Sequence, residues 1–143
     1  MKHHGSTCDF TIQRNRELLQ AYRHACSKRT FIVRREVCEE AANSPCSRFW
    51  VSEERAAVIV SGMLKGRYVL DDMSFQKREM FLEIFKRVTN ILDEKPDAKL
   101  RDAVFDAVNS PAPRFYMTTR SVVQIIWQIR NGHYDHLSKR FSK

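Results

Sequence analysis

Ser44-Pro45-Cys46-Ser47-Arg48-Phe49-Trp50-Val51-Ser52 occurs in the chain a second time, as Ser110-Pro111-Ala112-Pro113-Arg114-Phe115-Tyr116-Met117-Thr118, 66 residues later. The Ser, Pro, Arg and Phe positions are identical, and the pairs Trp/Tyr, Val/Met and Ser/Thr are chemically close. The same offset continues on both sides without a gap, from Arg35 over Arg101 to Gly66 over Gly132. Self-similarity at a fixed offset indicates a repeated supersecondary unit, so we interpret the chain as two copies of one unit.

The first two helices of each copy are predicted from apolar residues at helical spacing. Copy one has Leu18, Tyr22 and Cys26 within about residues 11–27, and copy two has a stronger stripe, formed by Phe81, Ile84, Phe85, Val88, Ile91 and Leu92. The second helices are predicted over about Thr30–Asn43 and Pro96–Asn109. Pro96 suits a first helical position, and the Asn-Ser-Pro sequence that follows each helix disfavours its continuation.

The third helices have the clearest sequence boundaries. Ser52 and Thr118 carry hydroxyl groups suited to capping exposed N–H groups at a helix start. Gly66 and Gly132 are the residue type that ends a helix by adopting positive φ. We therefore expect both third helices to lie between these residues.

These elements predict an all-α fold, a tandem repeat of two three-helix, helix-turn-helix-like units packed into one compact domain. The expected segments are a disordered N-terminus or expression-tag remnant (1–9), repeat 1 (10–66), a linker (67–74), repeat 2 (75–132) and a basic C-terminal tail (133–143). Units of this size are marginal alone, so we expect the two to pack against each other. The segment Asn43–Ser52 is much longer than the turn of about 3–4 residues typical of DNA-reading helix-turn-helix motifs.

The charge balance favours a polyanionic partner. The chain has 25 Lys and Arg against 17 Asp and Glu, a net charge of +8 and a pI near 9.6, which suits nucleic acid or an anionic membrane surface. No apolar run approaches the roughly 20 residues that span a bilayer, and the N-terminus lacks the apolar core of a secretory signal. We expect a cytoplasmic protein with no membrane partner.

The cysteines are predicted to be reduced core residues rather than disulfides or metal ligands. None forms a Cys-x-x-Cys pair, and no His has zinc-finger spacing to the four of them, Cys8, Cys26, Cys38 and Cys46. In the second copy, Cys38 is replaced by Val104 and Cys46 by Ala112. His133-x-x-His136 has helical metal spacing but no third ligand nearby. We predict no metal and no cofactor.

No catalytic motif is present, so we do not expect an enzyme or a small-molecule substrate. The sequence has no Gly-rich phosphate loop, no Gly-x-Ser-x-Gly and no His-Glu-x-x-His. Cys-His catalysis through Cys8 or Cys26 stays open, because such partners need to be close only in space.

The Arg-Phe-aromatic triplets allow two interpretations. They can be stacking platforms with an adjacent cation, or straps in which Phe fills the core and Arg bonds helix-end carbonyls. We favour the core for Phe49 and Phe115, because large aromatics chiefly build cores. For Arg48 and Arg114, and for the aromatic residue that ends each triplet, the two interpretations are equally weighted.

The third helix of copy two is the strongest functional candidate. Its apolar stripe (Val122, Ile125, Ile126, Ile129) leaves a polar set facing outward, formed by Thr119, Arg120, Gln124, Gln128 and Asn131. Arg, Gln and Asn read base edges by paired hydrogen bonds. Copy one has Glu53, Glu54, Val58 and Gly62 at four of these places, and its carboxylates would repel phosphate. The alternative is an ordinary solvated face.

Basic residues crowd the two ends of the chain. We expect those near the N-terminus (Arg29, Arg34, Arg35) and those in the tail (Lys139, Arg140) to contact phosphate. They converge into one patch if the copies pack head to tail. A solvated charged face is again the alternative.

These observations predict a DNA-binding accessory or regulatory protein that recognises duplex DNA. The first alternative is a helical protein-interaction adaptor that docks a partner on the straps or on Val58 and Trp127. The second is an RNA-binding module that uses the aromatic straps.

Overall fold

The backbone is described for residues 4–136 and the side chains for residues 10–136, in a computed structural model. Over this range the fold is all-helical, as predicted, with no strand and with six helices: α1 (His4–Ser27), α2 (Arg34–Ala42), α3 (Glu53–Leu64), α4 (Phe75–Glu94), α5 (Leu100–Val108) and α6 (Thr119–Arg130). None of these helices is both long enough and apolar enough to cross a membrane. The predicted contacts Lys139 and Arg140 lie outside the described residues.

The predicted boundaries of the third helices are confirmed. The side-chain oxygens of Ser52 and Thr118 each accept a hydrogen bond of 3.1 Å from the N–H three residues later, at the starts of α3 and α6. Gly66 and Gly132 follow the helix ends with φ values of 75° and 76°. Each bond satisfies one of the N–H groups that a helix start leaves without an intrahelical partner.

The second helices begin later than predicted. They start at Arg34 and Leu100 rather than at Thr30 and Pro96. Pro96 lies in a turn, closed by a 2.9 Å hydrogen bond from the N–H of Ala98 to the carbonyl of Lys95. A proline fits the restricted φ of such a turn as well as it fits a helix start, so the Pro signal alone misplaced the boundary.

Helices separated by the 66-residue offset bury matching faces. In α2 and α5 the buried positions coincide at every place, as do three core positions in α3 and α6. The pairs are Val37/Ala103, Cys38/Val104, Ala41/Ala107, Ala42/Val108, Ala56/Val122, Ile59/Ile125 and Val60/Ile126. Burial of Cys38 and Cys46 agrees with the prediction that they are core residues, and Cys26 is half-buried.

The helices form two compact units that differ from the segments 10–66 and 75–132. Unit 1 comprises the described residues up to Cys46 and from Pro113 onward, and unit 2 comprises Ser47–Ala112. In unit 1, α1, α2 and α6 pack together, and in unit 2, α3, α4 and α5 do so. Helix α3 therefore belongs to the unit of α4 and α5, and α6 belongs to the unit of α1 and α2.

The chain passes between units within the repeated turn, and a buried Phe follows each passage. The N–H of Phe49 donates to the carbonyl of Val108 at 3.0 Å in unit 2, and the N–H of Phe115 donates to the carbonyl of Ala42 at 3.0 Å in unit 1. Each bond satisfies a carbonyl near the end of a second helix. Phe49 and Phe115 are 1% and 2% exposed, so the core interpretation of these residues is confirmed.

Candidate nucleic-acid interface

Positive charge is concentrated in unit 1. Its described side chains, in residues 10–46 and 113–136, include ten Lys and Arg against five Asp and Glu, a net charge of +5. Unit 2 has eleven of each sign and a net charge of zero. The grouping of α6 with α1 and α2 joins the basic N-terminal helices to the polar third helix of copy two. A polyanion is therefore attracted to unit 1 far more than to unit 2.

The exposed face of α6 includes three of the five predicted base-reading side chains. Arg120, Gln124 and Asn131 are exposed, whereas Thr119 and Gln128 are half-buried. The Gln128 Oε1 atom accepts a 2.8 Å hydrogen bond from the hydroxyl of Tyr134, which occupies part of its bonding capacity. The Asn131 amide donates to the carbonyl of Trp127 at 2.8 Å. Of the predicted set, Arg120 and Gln124 are best placed to contact a ligand.

Trp127, predicted from the sequence only as an anchor for a protein partner, also lies on this exposed face. Positions 120, 124, 127 and 131 follow helical spacing along one side of α6, and the Trp127 side chain is 52% exposed. The His133 ring meets the indole ring nearly edge-on, with 5.3 Å between centroids and an interplanar angle of 67°. This contact restricts the orientation of the indole.

A small cleft lies between α2 and α6 beside Trp127. Its volume is about 40 Å³, and Arg34 and Arg130 lie on its lining together with Tyr22, Cys38, Val123 and Ile126. The Arg130 guanidinium stands 5.3 Å from the centroid of the Tyr22 ring, a cation–π contact that holds it beside the cleft. Burial raises the pKa of the Tyr22 hydroxyl, and the charge of Arg130 opposes that rise. The fold thus brings together two arginines that lie far apart in the sequence.

The predicted phosphate contacts in the first two helices fall into two groups. Arg34 and Arg35 are exposed at the start of α2 and form no ion pair with any side chain of residues 10–136. Arg29 is half-buried and pairs with Glu40 at 3.0 Å, and Lys28 also pairs with Glu40. The first two are available to an anion, whereas the charge of Arg29 is compensated.

The arginines of the two repeated turns have different environments. The Arg48 side chain, 13% exposed, donates to the carbonyls of Phe49 at 2.8 Å and Val51 at 2.6 Å. Burial lowers the pKa of Arg48, and Glu53 partly opposes this. Arg114 is exposed in unit 1, 5.9 Å from the ring centroid of Tyr116. Arg48 thus holds its own turn, and only Arg114 extends the basic surface.

Unit 2 has an open groove at the place that corresponds to the Trp127 cleft. The groove has a volume of about 630 Å³. It is lined by Val58 and Ser61 of α3, by Leu100 and Arg101 of α5, and by three further side chains and a glycine from α3 and the segment after it. The 66-residue offset aligns Ser61 with Trp127 and Leu100 with Arg34. The groove is therefore more open and less basic than its counterpart.

Known proteins provide no further guide to function. Comparisons with protein families, curated proteins and solved structures found no match for the chain. Among the described residues, no three His, Cys, Asp or Glu side chains cluster in a way that could hold a metal ion.

Proposed function

We propose that the protein is a DNA-binding accessory or regulatory protein, formed by two helix-turn-helix-like units that exchange their third helices, and that unit 1 contacts duplex DNA. The observation that carries this proposal is the charge of the units, +5 against zero. Nonspecific affinity for DNA comes mainly from neutralised phosphates. The unit with excess cations also carries the polar face of α6.

In this proposal α6 is the reading helix. Its exposed Arg120 and Gln124 lie one turn apart and face solvent. Arg pairs with the edge of guanine and Gln with the edge of adenine in the major groove, which is wide enough to admit a helix. The side chains at these positions in α3 are Glu54 and Val58, which lack that capacity.

Arg34, Arg35 and Arg130 are the proposed phosphate contacts beside α6. All three are exposed, and Arg34 and Arg130 line one cleft between α2 and α6. Cations beside a reading helix fix its register on the duplex without carrying sequence information. Arg114 adds to the same charged unit from the repeated turn.

A salt series tests the proposal. Binding of a labelled DNA duplex is measured across salt concentrations, with single-stranded RNA as a competitor. We expect the affinity to fall by about one log unit per log unit of salt for each phosphate contact. Absence of binding at low salt contradicts the proposal, and preferential displacement by RNA favours an RNA-binding module instead.

The groove of unit 2 favours a second candidate, a protein-interaction adaptor. Val58 is 67% exposed in a neutral unit, and it lines an open groove of about 630 Å³. Exposed apolar side chains in such a groove are typical anchors for a partner. Recovery of one partner from nuclease-treated extract, lost in Val58→Asp and kept in Gln124→Asp, supports this candidate. Equal recovery by both variants contradicts it.

A further inference from the structure

Contact with base edges does not explain why Trp127 lies on the exposed face of α6. It lies between Gln124 and Asn131 on the exposed side of α6, and 52% of its side chain is accessible. Indole has one N–H donor and a large aromatic surface, so it contributes little to paired hydrogen bonding with a base edge. Its exposed aromatic surface calls for a different contact.

An indole stacks well only on a base that is itself unstacked. In an intact duplex the faces of the bases are covered by their neighbours, and the grooves offer only edges. An unpaired base exposes its face, and stacking on an aromatic side chain stabilises the complex by about 1–3 kcal/mol per base. The exposed part of Trp127 is complementary to such a base.

The surroundings of Trp127 supply charge for the phosphate of the same nucleotide. Arg34 and Arg130 line the cleft beside the indole. The cleft of about 40 Å³ holds little more than a water molecule or two. A base therefore lies against the exposed indole rather than inside the cleft, with the two guanidinium groups within reach of its backbone.

Unit 2 lacks each of these features at the corresponding positions. The offset aligns Ser61 with Trp127, Leu100 with Arg34 and Leu64 with Arg130. The groove there has no aromatic ring, its cations Arg67 and Arg101 lie at other positions, and it also carries the acidic Glu54. The combination is thus a property of unit 1 and not a consequence of the shared helix packing.

We infer that Trp127, flanked by Arg34 and Arg130, is a stacking site for an unpaired nucleobase. This inference rests on the proposed binding of duplex DNA by unit 1. Its consequence is a preference for DNA in which a duplex is interrupted by an unpaired nucleotide. Arg120 and Gln124 then contact the paired region while Trp127 contacts the extruded base.

The test compares an intact duplex with the same duplex carrying one additional unpaired nucleotide. We expect fluorescence anisotropy to give an affinity on the order of tenfold higher for the interrupted duplex. In Trp127→Ala the ratio of the two affinities is expected to fall to about one, and Trp127→Phe is expected to retain part of the preference. Phe105→Ala removes an aromatic residue that is 54% exposed on unit 2, and it is the matched control that keeps the preference.

A spectroscopic measurement tests the contact directly. The chain has two tryptophans, so Trp127 is the only tryptophan in a Trp50→Phe background. The interrupted duplex is expected to quench its fluorescence more than the intact one does. Equal affinity and equal quenching for both duplexes overturn the inference and leave DNA binding intact, whereas failure to bind either duplex overturns the proposed function.

Discussion

The clefts of the two units occupy corresponding positions but differ in volume and in the residues that line them. In unit 1, Trp127 narrows the cleft to about 40 Å³ and arginines flank it. In unit 2, the residue at the same offset is Ser61, and the groove opens to about 630 Å³. The matching buried faces of the helices account for the shared packing. Function is therefore to be sought in the exposed positions at which the copies differ.

The charge of the units differs in the same direction as the clefts. Unit 1 has an excess of five positive charges among its described side chains, and unit 2 has none. Had each copy kept its own third helix, the polar helix α6 would belong with the acidic and basic residues of α4 and α5. In the structure, α6 instead lies in the same unit as the arginines of α1 and α2. Paired substitutions at corresponding positions of the two units test whether this difference determines binding.

The largest expected effect is a loss of stability that is similar in the two units. Phe49→Ala and Phe115→Ala each remove a buried ring, and each is expected to lower the free energy of unfolding by about 3–5 kcal/mol. Urea denaturation measures the loss. The exposed Phe105 gives the control, since Phe105→Ala is expected to change stability by less than about 0.5 kcal/mol. A small loss of stability in either Phe49→Ala or Phe115→Ala contradicts the role of that residue in the core.

The second prediction separates the reading helices. Arg120→Ala and Gln124→Ala are each expected to reduce discrimination between preferred and altered duplexes by about 1–3 kcal/mol. The preferred sequence is first selected from a randomised duplex pool. The controls are Glu54→Ala and Val58→Ala, at the same positions of α3, which are expected to leave discrimination unchanged. If all four variants behave alike, α6 is not the reading helix.

Local signals predicted much of the fold. The capping hydroxyls of Ser52 and Thr118 and the positive φ of Gly66 and Gly132 depend on neighbouring residues only, and all four predictions are confirmed. The grouping of α3 with α4 and α5, and of α6 with α1 and α2, was not predictable in the same way. An apolar stripe shows which face of a helix is buried, but α3 and α6 carry similar stripes, so neither stripe identifies its partner.

The candidate site was predictable only in part, because identical sequence contexts lead to different environments. Arg48 and Arg114 occupy the same place in the repeated turn, yet one binds carbonyls of its own turn and the other is exposed. Trp127 was omitted from the predicted nucleic-acid site because an exposed Trp is a typical anchor for a protein partner, and it was assigned to that alternative. Its exposure follows from its place beside Gln124 on the outer face of α6.

The third prediction compares two exposed arginines at corresponding positions. Arg35 lies in unit 1 and Arg101 in unit 2. Arg35→Ala is expected to weaken binding to all sequences by roughly tenfold at low salt and to reduce the salt slope by about one. Arg101→Ala is expected to change neither quantity. Filter binding across a salt series measures the affinity and the salt slope of both variants. Equal losses of affinity in the two variants would show that the charge difference between the units does not determine where DNA binds.

The smallest effect concerns the acid that compensates the basic unit. Glu40 pairs with Lys28 and Arg29, and the hydrogen bond from Lys28 holds the pKa of Glu40 below its usual range. Because the pKa is lower in the folded state, the ionised carboxylate stabilises the fold at pH values above the ordinary Glu pKa of about 4.3. This stabilisation is lost as the pH falls through the lowered pKa. Glu40→Gln is therefore expected to be slightly less stable than the wild type at neutral pH, with the difference disappearing in acid.

The same substitution is expected to tighten DNA binding a few-fold, because it releases two cations of unit 1 from their ion pairs. The gain in affinity is expected to be on the order of one added phosphate contact at most. Asp106 occupies the corresponding position in unit 2, so Asp106→Asn removes one negative charge there and raises the net charge of the chain equally. If affinity depends on total charge alone, the two variants gain equally. If it depends on unit 1, only Glu40→Gln gains, and titrations at two salt concentrations distinguish these outcomes.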